Sequence, residues 1–530
     1  MRYAQHLSKK TDVPATVKIS GTKKNSGGGY SFKVDSFTHL ERFLILGCEG
    51  GSYYAGERKL TKSAAKSIEK CLSLDFERTI SMIVDISQQG RCIRNETCEF
   101  ALAVACSSKN PAIAKHACNQ ISLVCRTGGQ LISFVSCVRE AKLRGWGKVF
   151  KEGVANWYLN KPVKDLAFQM VKYQNRDGWR QRDILRLAHP KTDDRARNSI
   201  FSYVCDKKNW KQQTQLFDEP TRILALADQV KYASPKEAAR LIVENNLPWE
   251  CLLTEQLKCK EIWEGLIEVA PPRALISNLG RMSALGMLTP GSNAQMRICS
   301  RLEDAAWIKR SRLHPLTIAN TKAVFQGGRA IKGNLRWTSN TAICDALESA
   351  FYNSFGNVES SGKRIMLALD VSASMCGGKI GGSVFNPREA SGLLAMTMLR
   401  SEPNCFTTAF TCGFVPLNLS RHMSQNEVLR AISNLPFMHT DCSIPMVYAQ
   451  KKKLPVDLFV IVTDSETNAG VHPTLALQSY RETMGINAKM AVVSMIANKF
   501  SIADPNDPGQ LDMVGFDLMG PEILSKFASL

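Results

Sequence analysis

The 530-residue chain has no Cys-x-x-Cys pair, although it holds 17 cysteines. A zinc site needs clustered thiolates, and a disulfide framework belongs to short secreted chains with paired cysteines. An odd, scattered set fits neither. Cys106, Cys125, Cys205 and Cys344 sit in apolar runs, where a free thiol behaves as a small hydrophobe. No apolar run approaches the roughly 18 residues that cross a bilayer, and the first ten residues lack the apolar core of a secretory signal. An intracellular protein with reduced thiols is expected. There is also no G-x-x-x-x-G-K-[ST] phosphate loop and no H-E-x-x-H; residues 377–383, Gly-Gly-Lys-Ile-Gly-Gly-Ser, lack the first spacing.

Acidic residues are in short supply, 48 against 68 Lys and Arg, for a net charge of +20. From Ser361 onward basic and acidic residues balance at 14 each, which leaves 54 basic and 34 acidic for the first 360 residues. The whole excess therefore lies in one part, and such asymmetry points to a polyanionic partner for it.

At this length, with 44% apolar residues, several domains are expected. Residues 1–35 are polar, basic and glycine-rich, and read as a flexible arm. Over 36–360 the apolar spacing of three and four predicts helices at 62–72, 99–105, 163–173, 235–244, 261–269 and 341–355. Short turns between them suggest stacked helical pairs, an α-solenoid. From 361 to 530 apolar runs at 365–369, 405–410, 458–462 and 488–495 alternate with helical stretches, which predicts an α/β domain with a mostly parallel sheet covered on both faces.

The run Ile365 to Leu369 ends in Asp370, Ser372 and Ser374, three oxygen side chains at alternate positions past a buried strand. Thr440 and Asp464 stand on later loops, Asp464 at the end of another predicted strand. Loops at the carboxyl ends of parallel strands are where open α/β sheets place ligands, and hard oxygen donors suit Mg²⁺. No general base stands out beside Asp370, so catalysis is not expected.

In the basic part, Lys172 and Arg176 are four apart and would share a helix face if the helix continued through Arg176. Arg180, Arg182 and Arg186 follow, then His189 before a proline; Arg126, Lys142, Arg144 and Lys148 lie upstream. Cations interleaved with Tyr and Trp offer phosphate contacts and stacking surfaces for RNA loops and single strands. Trp157 and Trp179 are expected in the core.

Asp370-Val-Ser-Ala-Ser, followed by Thr440 and Asp464, resembles the metal-ion-dependent adhesion site of von Willebrand factor A domains. The resemblance implies that Asp370, Ser372, Ser374, Thr440 and Asp464 ring a divalent cation, Mg²⁺ or Mn²⁺, and leave a position for a partner's carboxylate. Where that family often has glycines before the threonine, Met438 and His439 stand here. Lys-Tyr-x-x-Arg-x-Gly-Trp from Lys172, then Asp-x-Leu-Arg-Leu-x-His from Asp183, resembles the Ro ribonucleoprotein family with its TROVE module. Further matching stretches are 47–54, 278–282 and 314–315, and the likeness runs from about residue 38 to 530.

That resemblance implies a ring of HEAT-like helical repeats closed by the A domain. It further implies binding of Y RNAs, which are small structured noncoding RNAs, on the outer surface, and of the single-stranded 3′ ends of misfolded RNAs in the hole. The expected role is noncoding-RNA quality control and stability, by a monomer within a cytoplasmic ribonucleoprotein particle. Lys172, Arg176 and His189 fall on the family's RNA-contacting positions; Arg126, Lys142, Arg144, Lys148 and Arg180 are added from charge. A nuclear pool stays open, because the lysine pairs at 9–10 and 23–24 are too short to argue import. A metal-dependent protein-interaction scaffold, gripping an acidic protein ligand without specific RNA, is the alternative. A metal-dependent nuclease is a third reading, which intact RNA after incubation with the protein would end.

Overall fold

The computed structural model describes residues 13–529, apart from 26–27, 47–61, 93–94, 141–144, 213–219, 312, 314, 332, 356–359, 379–383, 436–438, 497–498 and 515–519. The matching stretch 47–54, His314 and Met438 therefore lie outside the described residues, as do Lys142 and Arg144. Two compact units emerge: residues 68–89 with 95–354, and residues 1–67, 90–94 and 355–530.

The expected arm differs in structure from residue 13 on, while residues 1–12 lie outside the described set. Thr22–Lys24 (β1) and Tyr30–Lys33 (β2) pair antiparallel, with Lys23 opposite Ser31. Ser31 and Phe32 point to opposite faces of β2, yet both are buried, Phe32 at 6% exposure, so the strand is covered on both sides. Asn25 donates to the Thr467 carbonyl at 2.8 Å and to Ser31 Oγ at 3.1 Å, and Ser31 Oγ donates to the Ser465 carbonyl at 2.9 Å. A Cβ on Gly29 would sit 1.9 Å from the Thr467 carbonyl oxygen, so this glycine serves the close approach of two backbones. His472 lies beneath the same segment; burial holds it below the ordinary histidine pKa, and its neutral ring donates from Nε2 to the Val17 carbonyl at 2.7 Å. Phe32→Ala is expected to cost about 3 kcal/mol in chemical denaturation, as for other buried phenylalanines; a free arm would show no change.

The unit of residues 68–89 and 95–354 is helical where the spacing predicts. Helices run at Glu96–Cys106, Val163–Lys172, Pro235–Asn245, Lys260–Val269 and Thr341–Asn353. They pack in neighbouring pairs, Pro235–Asn245 on Lys260–Val269 and Asn293–Glu303 on Thr341–Asn353. Asn110, Asp194, Ser234 and Ser292 cap helix starts by accepting backbone N–H groups. Asn175–Arg176 (β3) and Trp179–Arg180 (β4) form a short antiparallel hairpin.

The other unit holds a six-stranded sheet built from Ile365–Asp370 (β5), Cys405–Phe410 (β6), Phe414–Pro416 (β7), Leu458–Thr463 (β8), Lys489–Ser494 (β9) and Gln510–Val514 (β11), in the order β11-β9-β8-β5-β6-β7. All neighbours run parallel except β6 and β7. Phe500–Ser501 (β10) pairs instead with β2. Every residue of β5, β8 and β9 is buried, the signature of a sheet covered on both faces. Helices Pro387–Ser401, Gln425–Ser433, Ile444–Lys451 and Pro473–Met484 supply the cover. The first two start with capping boxes, Asn386 with Glu389 and Ser424 with Glu427. Phe459, Met446 and Tyr480 lie in the core. The connection after β5 leads to β6 on one side, whereas β8 leads to β9 on the other. The switch point between β5 and β8 opens a crevice beyond their carboxyl ends.

Candidate functional site

Asp370 closes β5 and Asp464 follows β8, so the switch point places both carboxylates at one crevice. Both are fully buried; Ser372, Ser374 and Thr440 are 1% exposed. The Ser372 backbone N–H donates to Asp370 Oδ1 at 2.9 Å, and Thr463 Oγ1 donates to Asp370 Oδ2 at 2.6 Å. Ser372 Oγ and Ser374 Oγ are 3.0 Å apart. The Glu466 N–H donates to Asp464 Oδ1 at 3.0 Å. Thr440, preceded by Met438 and His439, is held by the loop after β8. Its N–H donates to Asn468 Oδ1 at 2.9 Å, and its carbonyl accepts from the N–H groups of Asn468 and Ala469 at 2.9 and 3.0 Å. The loop after β8 thus fixes the threonine loop.

Burial pushes the Asp370 carboxyl above its ordinary value, against hydrogen bonds from Ser372 and Thr463. Asp464 is pushed well above, first by burial, then by the charges of Asp370 and Glu466. Thr440 Oγ1 is buried without a hydrogen-bond partner in the structure. Two carboxylates and three hydroxyls, one of them without a hydrogen-bond partner, make a donor set that fits a hard divalent cation. Among the described residues no group of three or more His, Cys, Asp or Glu is placed to hold a metal, so the hydroxyls would have to take part.

The basic residues occupy the helical unit. Lys172 ends its helix, half-buried, with its ammonium 5.6 Å from the Phe168 ring and 5.4 Å from the Tyr173 ring. Its charge also bears on Glu250, whose carboxyl is raised by burial and lowered by Lys172. Arg176 is not on that helix. Asp177 and Gly178 have φ of 50° and 75°, the two positive values of a tight Asp-Gly hairpin turn. That left-handed backbone cannot continue a helix, and Arg176 stands on β3 opposite Trp179. Its guanidinium pairs with Glu96 at 2.7 Å and approaches Asp177 at 3.4 Å.

Arg180 on β4 is exposed. Helix Gln181–Ala188 begins beside it and ends at His189, exposed in the left-handed conformation at φ 49° with its N–H on the Leu185 carbonyl. His189 and Lys148 line one depression of about 460 Å³ with Lys151, Glu152 and Lys191. Arg126 is exposed elsewhere, its Nη1 donating to Ser87 Oγ at 2.8 Å. Lys151 and Lys191 had only their charge as a signal in the sequence. Trp157 is buried as expected and donates from Nε1 to the Cys125 carbonyl. Trp179, also expected in the core, is only half-buried.

A sheet with an oxygen-rich switch point, in one chain with a helical unit bearing exposed cations, defines a von Willebrand factor A-type domain joined to a helical-repeat domain. The Ro60 vWA-domain family model matches residues 364–528, and the TROVE-domain model matches 23–243 and 221–329. The chain belongs to the TROVE-containing Ro60 family. It is 35% identical to the RNA-binding protein RO60 of Deinococcus radiodurans over 512 residues, 95% of each chain. It is 32% identical to the RNA-binding protein RO60 of Caenorhabditis elegans over 583 aligned positions, 96% of this chain and 90% of that one. The crystal structure of the Deinococcus radiodurans RO (RSR) protein is similar with a TM-score of 0.72 at 35% identity, covering 93% of this chain and 99% of that one.

Proposed function

We propose that this chain is the RNA-binding component of a ribonucleoprotein. It takes small structured noncoding RNAs (Y RNAs) and the single-stranded 3′ ends of misfolded noncoding RNAs, and serves RNA quality control and stability without catalysis. The observation that carries this reading is the run of exposed arginines Arg176, Arg180, Arg182 and Arg186, with exposed His189 after them, on one hairpin and the helix after it. Relatives of this length that are named as RNA-binding proteins support it. Exposed arginine forks and lysines contact phosphates at many angles, which suits recognition by shape.

Mg²⁺ or Mn²⁺ would be held by Asp370, Ser372, Ser374, Thr440 and Asp464. When bound it supplies a positive charge able to take a carboxylate from an acidic protein ligand. Asp370 and Asp464 provide the countercharge, the serines and threonine the remaining oxygens, and Asn468 orients the Thr440 backbone. On this reading the chain works as a monomer in a cytoplasmic particle. No helix among the described residues is long and apolar enough to cross a membrane.

Crosslinking in the source cells, purification and sequencing of the attached RNA tests the proposal. A dominant small structured RNA with heterogeneous RNAs of ragged 3′ ends is expected. Recovery of no RNA above a control basic protein overturns it. In vitro, log affinity for a single strand should fall against log salt by about 0.7 per phosphate contact; a flat line contradicts the proposed phosphate contacts.

A further inference from the structure

We propose that Trp146, Trp179 and Arg139 form a pocket for one unstacked nucleobase of a bound single strand, an inference that rests on the RNA-binding reading above. The two indole rings have centroids 6.5 Å apart and planes inclined at 47°, an open wedge rather than a stacked pair. A base sandwiched between two parallel rings needs about 7 Å, twice the ~3.4 Å stacking rise of nucleic acids, so at 6.5 Å and 47° an inserted base stacks on one indole and meets the other at its edge. The wedge opens into a solvent-open depression of about 430 Å³, also walled by Val135, Val138 and Phe150.

The walls are held in place. Phe150 meets Trp146 edge-on at 5.1 Å and 71°, and packs on buried Phe134 at 5.7 Å. Trp179 is fixed by the hairpin register opposite Arg176. Its indole N–H is buried with no hydrogen-bond partner in the structure, although buried indoles usually find one. Above that ring lies the Arg139 guanidinium, 5.6 Å from the centroid. A planar cation at an aromatic wall can stack on a base or hydrogen-bond its edge, which an ammonium cannot do as well. Arg176 and Arg180 flank Trp179 along the hairpin and are exposed, so the phosphates on either side of an inserted base would meet cations. An apolar peptide side chain would suit the rings but would make no use of the three arginines.

The test compares two labelled ten-nucleotide probes on the full chain: oligoadenylate, and an abasic strand with the same phosphates. The wild type should prefer oligoadenylate. Trp146→Leu should lower oligoadenylate affinity by roughly tenfold, within the range for stacking one base, and leave the abasic strand unchanged. Trp146→Phe should retain most of the preference. Arg139→Lys keeps the charge and the aromatic packing, and should lose about threefold on oligoadenylate alone; it secures the reading if Trp146→Leu proves unstable. An unchanged ratio of the two affinities in Trp146→Leu and Arg139→Lys overturns the pocket while RNA binding stands. Equal loss on both probes also overturns it, because the residues would then act on the backbone or the fold. Displacement of oligoadenylate by an aromatic-rich peptide but not by the abasic strand would reassign the pocket to a protein. If the wild type binds neither probe at low salt, the RNA-binding reading itself falls.

Discussion

Replacing Lys172 and Arg176 together by alanine lowers affinity for a structured RNA on the order of a hundredfold, as charge-assisted hydrogen bonds contribute about 1.5–3 kcal/mol each. It also flattens the log–log salt dependence by about 1.4 to 1.8, the loss of two phosphate contacts. The fold should survive. Arg176 is 45% exposed and its partner Glu96 40%, and an exposed pair of that kind contributes at most about 1 kcal/mol. Lys172 rests on two aromatic faces and helps keep the Glu250 carboxyl ionised; its removal lets Glu250 rise further towards the neutral form, which burial already favours. Because Arg176 must exchange Glu96 for phosphate, Glu96→Gln alone should strengthen RNA binding by a few fold. Equilibrium binding across a salt series, beside unfolding curves for each variant, checks all four statements. A double variant that binds as the wild type does would remove these two residues from the interface.

What the sequence made legible was the part governed by local periodicity. Helix Val163–Lys172 and strands β5 and β8 fall within a residue or two of their expected bounds, because apolar spacing and burial agree there. Asp370 and Asp464 were legible for a related reason: each ends a buried apolar run, and parallel sheets gather such ends. The Asp177-Gly178 turn was written in the sequence too, but the four-residue spacing of Lys172 and Arg176 suggested a continuing helix, and the left-handed turn prevails. Elements that depend on distant partners were not legible. Strand β2 pairs with nearby β1 on one edge, but its other edge rests on β10, more than 460 positions away, so a polar, glycine-rich composition concealed it. Thr440 is positioned by Asn468, 28 residues on, and nothing in its neighbours' identity discloses that. The pairing of Trp146 with Trp179 needs the hairpin to meet the loop just ahead of helix Lys148–Asn160.

Magnesium is expected to raise the unfolding midpoint of the wild-type chain, by about 2.7 kcal/mol of stability at a hundredfold excess over its dissociation constant. Asp464→Asn should abolish the response and still make the metal-free protein more stable. The second half follows from electrostatics. Asp464 is buried beside Asp370 and Glu466; desolvation first, then those two charges, disfavour its charged form and outweigh the hydrogen bonds from the Glu466 N–H and Ser374 that favour it. Asparagine keeps the Oδ1 that accepts the Glu466 N–H and removes the charge, so the metal-free fold gains on the order of 1 kcal/mol, the low end for neutralising buried charge. The pH dependence has a fixed sign. Carboxyls raised in the folded state bind more protons there than in the unfolded chain, whose aspartates titrate near 3.9. Stability of the metal-free wild type therefore falls as pH rises from about that value through the raised folded values of Asp370 and Asp464. Mg²⁺ needs both groups ionised, so its stabilising effect grows over the same window, and the two trends cross. In Asp464→Asn the fall is shallower and the crossing disappears. Thermal unfolding in chelator and in Mg²⁺ or Mn²⁺, from acid to neutral pH, measures each of these. A wild-type midpoint that ignores both metals at neutral pH, with Asp464→Asn more stable all the same, would mean that the crevice carries uncompensated charge for some other purpose than a divalent cation.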